Sequence, residues 1–83
     1  MMIGQFVTSK AGHDKDSLYV IVAESGDFVF LCDGRTKPVD KPKRKRKKHI
    51  QPISQNVGEE LVTAIQSGRA TNEQIRYAIR QYQ

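Results

Sequence analysis

The sequence predicts a small, mainly β domain finished by two C-terminal helices. Three observations carry that prediction. Apolar runs of strand length, IGQFVTS, LYVIVA and FVFLC, are separated by glycine- and aspartate-bearing turns in the first 34 residues. From residue 56 the apolar period lengthens to four, as Val57, Leu61 and Ile65 recur. Finally, the chain has 83 residues and no Trp. A domain of that size buries only about 60% of its unfolded surface, enough for one small core and not for a deep cleft.

The elements follow in order. Residues 3–9 read as a first strand, with Ile3 and Val7 on one face and Phe6 on the other. The segment around Gly12 breaks the run, and Leu18 to Ala23 resumes it. Glu24-Ser25-Gly26-Asp27 reads as a tight hairpin, with Gly26 taking the positive φ such turns need. Phe28 to Cys32 returns as the third strand, and Asp33-Gly34 turns the chain again. These strands do not alternate polar with apolar, so both faces must be covered. One face can line a small barrel, and the helices are expected on the other. Pro38 and Pro42 flank a short extended piece around Val39. His49 to Ile53 reads as a last short strand, whose Pro52 argues for an edge position or a strand end. Asn56 with Glu59, and Thr71 with Gln74, read as capping boxes, and Gly68 reads as the left-handed stop of the first helix. Ile75, Ala78, Ile79 and Tyr82 form the second helix's apolar stripe. The expected division is 1–53 for the barrel, with the basic segment 41–48 inside it, and 54–83 for a helical hairpin packed upon it.

Charge is the strongest functional signal. The net charge is +5, but the window from Arg35 to Lys48 holds nine bases against Asp40 alone, a local +8. The remainder carries five bases and eight acids. In KPKRKRKK, Lys41 to Lys48, seven of eight residues are Lys or Arg. Such a run cannot be desolvated in a core. It is either neutralised by phosphate, which favours binding by counterion release, or left as a solvated loop, or used as a targeting signal. Without a partner it is expected to be mobile, because like charges extend a chain. Phosphate contacts are expected from Arg35, Lys37, Lys41, Lys43, Arg44, Lys45, Arg46, Lys47 and Lys48, and from Lys10, His13 and Lys15 in the Gly12 loop. The arginines bridge phosphate oxygens and the lysines act as point charges. Arg69, Arg76 and Arg80 read as ordinary solvated charges.

Other functions find less support. Cys32 is the single cysteine, it sits in an apolar run, and neither His13 nor His49 stands in a catalytic or metal-ligand relation to it. It reads as a small buried hydrophobe, and the expectation is no enzyme activity, no cofactor, no metal and no small-molecule substrate. Loop carboxylates Asp14, Asp16, Asp27 and Asp33 are better explained by turn chemistry. No apolar run of about 18 residues is present and no secretion signal is read, so the expected place is the cytoplasm and not a membrane.

The stretch GQFVTSKAGHDKDSLYVIV resembles a KOW motif, a strand, a loop often written G-x-D-K-G, and a second apolar strand. Gly4, Val7, Ser9, Lys10, Gly12, Asp14, Lys15, Tyr19, Val20 and Val22 fit the pattern, and Asp16 departs from it where a glycine commonly follows the lysine. The wider chain resembles small bacterial KOW-domain proteins, related to KOW-containing large-subunit ribosomal proteins of archaea and eukaryotes, in which a DG turn (here Asp33-Gly34) leads into a lysine-rich segment. The resemblance implies a small SH3-like barrel, ribosomal or other structured RNA as partner, and no catalysis; ribosomal proteins are further expected neighbours. The alternative is a protein-interaction adaptor in a transcription or translation assembly. With the Phe residues in strand patterns and only Tyr19 near the KOW-like loop, shape and backbone recognition is expected over sequence readout.

Overall fold

A computed structural model describes residues 2–10 and 17–83; the Gly12 loop, with His13, Lys15 and Asp16, lies outside the described residues. Five antiparallel strands form one sheet: β1 (Gln5–Ser9), β2 (Leu18–Ser25), β3 (Phe28–Cys32), β4 (Lys43–Arg46) and β5 (Ile50–Asn56), in the order β4-β3-β2-β1-β5. Two helices follow, α1 (Glu59–Gln66) and α2 (Asn72–Tyr82). A mainly β body with two C-terminal helices is therefore the observed architecture.

Apolar residues on both faces of the strands sort into two cores. Val7, Tyr19, Ile21, Val29, Leu31 and Ile50 form one, drawn entirely from the sheet. Phe6, Val20 and Cys32, on the opposite face, form the other with Val57 and Ile75, and Leu61, Val62, Ile65, Ala78 and Ile79 pack against them. The helices thus cover the part of the second face around Phe6, Val20 and Cys32. Among the described residues nothing outside the sheet joins the first core, so the sheet must curl over it.

Two features show that curl. The edge strands β4 and β5 would stand roughly 19 Å apart in a flat sheet, yet only the 3₁₀ turn Lys47–His49 joins them. Lys45 Nζ on β4 also donates to Ser9 Oγ on β1 at 2.8 Å. In a flat sheet three strand spacings, roughly 14 Å, would separate those strands, beyond a lysine's reach. Bulges supply the local bend, one in β2 between Ile21 and Ala23 and one between β1 and β5 at Gln5–Val7. Gln5 Nε2 fills the second by donating to the Ile53 carbonyl at 3.0 Å. Among the described residues β4 and β5 do not pair, so that seam carries no ladder.

Two glycines set how the helices seat. Gly4 (φ +90°) and Gly34 (φ +79°) both lie in the left-handed region. A Cβ on Gly4 would stand 2.7 Å from Val62 Cγ2, and one on Gly34 only 2.5 Å from the Asn72 carbonyl oxygen. The Asp33-Gly34 turn is therefore also the bed for the start of α2. Arg76 Nη1 donates to the Gly34 carbonyl at 2.6 Å, and Val39 N donates to Asn72 Oδ1 at 2.8 Å. Arg76, read above as a solvated charge, ties the helix to this turn.

Several expectations are corrected. The basic run is not a free loop: Lys43–Arg46 pairs with β3 as an edge strand, and Lys47–His49 forms a 3₁₀ turn. Like charges oppose local order, but the free edge of β3 offers hydrogen bonds only an extended neighbour can take. The last strand runs to Asn56, past residue 53, because Gln5 pairs with Asn56 and Val57 N donates to the Gly4 carbonyl. Consequently α1 starts later, with Gly58 as N-cap and no side-chain cap, so Asn56 and Glu59 form no capping box. The first strand begins at Gln5 because Gly4 turns the chain, and β2 continues to Ser25. Val39 lies in a turn closed by Lys41 N donating to the Pro38 carbonyl. Elsewhere the expectations hold: Gly26 and Gly68 have positive φ, Thr71 and Gln74 make a reciprocal capping box, and Pro52 sits on edge strand β5.

Candidate nucleic-acid interface

Strand alternation divides the basic run between two faces. In register with β3, Arg46 stands opposite Phe28, Lys45 opposite Val29, Arg44 opposite Phe30 and Lys43 opposite Leu31. Val29 and Leu31 belong to the inner core, so Lys43 and Lys45 take that side and Arg44 and Arg46 take the outer one. Lys45 ends on Ser9, which is 2% exposed. A buried hydroxyl facing an ammonium is a structural link between β4 and β1.

On the outer face the two arginines converge on one ring. Arg44 Cζ lies 4.6 Å and Arg46 Cζ 5.0 Å from the centroid of Phe28. Both arginines are exposed, and Phe28 and Phe30 are half-buried. Contact with a ring face favours guanidinium over ammonium, because its plane is weakly hydrated and stacks.

The 3₁₀ turn brings further charge alongside. Lys47 pairs with Glu24 at 2.6 Å, and its backbone N donates to the Asp27 carbonyl at 2.8 Å. The hydrogen bond from Lys47 holds the Glu24 carboxyl below its ordinary value. Lys47 is thus partly neutralised within the chain. Lys48 is exposed, and Lys10, also exposed, donates its backbone N to the His49 carbonyl at 3.0 Å. Lys45 and His49 thus meet Lys10, distant from both in sequence, at the end of β1. Lys37 stands with its ammonium 6.0 Å from the Tyr19 ring centroid. Arg35 and Lys41 are exposed on the connection from β3 to β4.

That connection is rigidly organised. Asp33 Oδ1 accepts from Arg35 N at 2.8 Å and Lys37 N at 2.9 Å, and Oδ2 accepts from the Thr36 hydroxyl at 3.0 Å. Burial pushes the Asp33 carboxyl up, but those three donors together with the Lys37 charge outweigh it and hold it below its ordinary value. Asp33 is occupied with turn geometry. Cys32 is buried with its Sγ 3.5 Å from the Pro38 carbonyl. Burial, aided by Asp33 and Asp40, pushes the thiol up to about 12, so it is neutral at physiological pH. Among the described residues no cluster of His, Cys and carboxylates is placed to hold a metal, and no helix is long and apolar enough to cross a membrane.

The structure therefore groups the expected bases unevenly. Arg44 and Arg46 share one aromatic ring, Lys45 and Lys47 are engaged within the chain, and Lys43 and Lys48 flank them in solvent. Sequence reasoning missed Phe28 and Phe30. The signal was present as two i, i+2 pairs, Phe28/Phe30 and Arg44/Arg46, but reading it requires knowing that β4 lies beside β3. No protein-family model matches the chain, and no curated protein matches its sequence.

Proposed function

We propose that this protein is a non-catalytic RNA-binding module of the KOW type, an SH3-like barrel with helices packed on its outer face. It engages the phosphate backbone of ribosomal or other structured RNA in the cytoplasm. The observation that carries this reading is the edge strand β4 with its flanks, a row of bases held in extended register on a curled sheet. A sheet edge is commonly protected by a charge or two, lysine above all, so some basic character needs no ligand. Seven bases in eight residues go well beyond that, and placing two of them as arginines over one ring serves contact more than repulsion. The sheet curl supports the barrel reading, since it buries one face without a second layer.

The test is the salt dependence of binding, with ribosome co-sedimentation beside it. Five to seven neutralised phosphates give a slope of log affinity against log salt of roughly −4 to −6. The protein is expected to pellet with ribosomes at low salt and leave them at moderate salt. A flat salt response would rule out the electrostatic mechanism. A protein-interaction adaptor is the second reading, favoured by a groove of about 860 Å³ between the helices and the sheet, lined by Phe6, Val57, Leu61, Tyr77 and Tyr82. Tyr77 is 58% exposed there. Retention on a protein partner after ribonuclease treatment would favour that role.

A further inference from the structure

The outer face of the sheet has a half that the helices leave open. Val20 and Cys32 lie under α2 and its neighbours, while Phe28 and Phe30, further along the same face of β3, lie outside that cluster. A pure phosphate site has no use for aromatic rings at its centre. Guanidinium planes and aromatic rings together offer stacking surfaces for nucleobases, whose π-faces are available only where the strand is unpaired.

We infer that Phe28, Phe30, Arg44 and Arg46 form a stacking platform for unpaired bases of a single-stranded RNA segment. The inference rests on the RNA-binding reading above and specifies what part of the RNA meets this face. Phe28 holds the two guanidiniums at 4.6 and 5.0 Å, so their planes are ordered before the ligand arrives and less entropy is lost on binding. Lys48, exposed in the 3₁₀ turn that follows β4, meets the phosphates of the same segment. The occupant is chosen by charge and chemistry together: the positive rim selects a polyanion, and the rings select its bases. Stacking tolerates any base, so the platform adds affinity for unpaired segments without reading their sequence.

The experiment compares two strands of equal length and charge, a short single-stranded RNA and the same strand with abasic sites, by fluorescence anisotropy with the full chain. Wild type is expected to prefer the base-bearing strand on the order of 10-fold. Phe28→Leu is expected to remove most of that preference while leaving the salt slope unchanged, since no charge is altered. The double variant Arg44→Lys/Arg46→Lys, which keeps every charge, is expected to lose the preference too, and it provides the same reading should Phe28→Leu fail to fold by circular dichroism. Equal wild-type affinity for both strands overturns the platform but leaves phosphate binding intact. A base preference that survives in the folded variants also overturns it, because the stacking would then lie elsewhere. Failure of wild type to bind either strand overturns the platform, while the RNA-binding reading is overturned separately, by failure to co-sediment with ribosomes at low salt.

Discussion

The outer face of one sheet meets two different fates. At Val20 and Cys32 it is sealed by Val57 and Ile75, and at Phe28 it is topped by the guanidiniums of Arg44 and Arg46. Strand composition does not separate the two halves, since both lie within apolar runs. The separation comes from what arrives from elsewhere in the chain. Helix α2 is held over one half by the Asp33-Gly34 turn, and β4 runs along the other. One half is therefore stability and the other is surface, and changes in the two should be separable in experiment.

The largest expected effect is on the open half. Replacing the exposed bases Lys43, Arg44, Arg46 and Lys48 by Gln is expected to lower RNA affinity on the order of a thousandfold and to flatten the salt slope by about 3. Thermal unfolding should change little, because Lys45 and Lys47, which bond to Ser9 and Glu24, are retained. Unchanged affinity in a filter-binding titration would place the contacts elsewhere. On the sealed half, Ile75 is 0% exposed. Ile75→Ala should cost about 2–5 kcal/mol in chemical denaturation, with RNA affinity of the folded protein preserved. A parallel loss of affinity would show that the halves are coupled.

The boundary between the halves offers two smaller probes. Gly34→Ala meets a positive φ and the Asn72 carbonyl together. It is expected to cost about 2–3 kcal/mol, and more in helix content than in sheet signal by circular dichroism. Asp33 gives the smallest effect and a pH dependence. Its carboxyl is depressed in the folded state, so its stabilisation is complete above the ordinary carboxylate value and fades as pH falls through the folded one. Melting temperature should therefore fall on acidification below about pH 4. Asp33→Asn should cost about 1 kcal/mol at neutral pH and reduce that acid dependence. An unaltered acid limb would assign the dependence to other carboxylates.

Much of the fold was legible locally. Phe28–Cys32, the Gly26 hairpin, the Thr71/Gln74 box and the edge position of Pro52 follow from composition, φ preference and hydrogen-bonding capacity over a few residues. Val57 is instructive in a different way. Its spacing to Leu61 and Ile65 is helical and it does join the same core, yet it precedes the helix. The spacing reported a shared burial and not a shared element. The candidate site was legible as charge and illegible as shape, because KRKR carries no strand signal of its own.

The sequence by itself determined the mainly β body, the two helices, the doubly apolar strands and the concentration of positive charge, since each depends on residues close together in the chain. Tertiary structure alone decided that the basic run would be a strand, that its arginines would meet Phe28 while Lys45 reached Ser9, and that the Asp33-Gly34 turn would seat α2. Those outcomes depend on partners far apart in sequence. The free edge of β3 and the curl of the sheet supply hydrogen bonds and contacts that outweigh the local repulsion of like charges, and no window on the chain contains both sides of that balance.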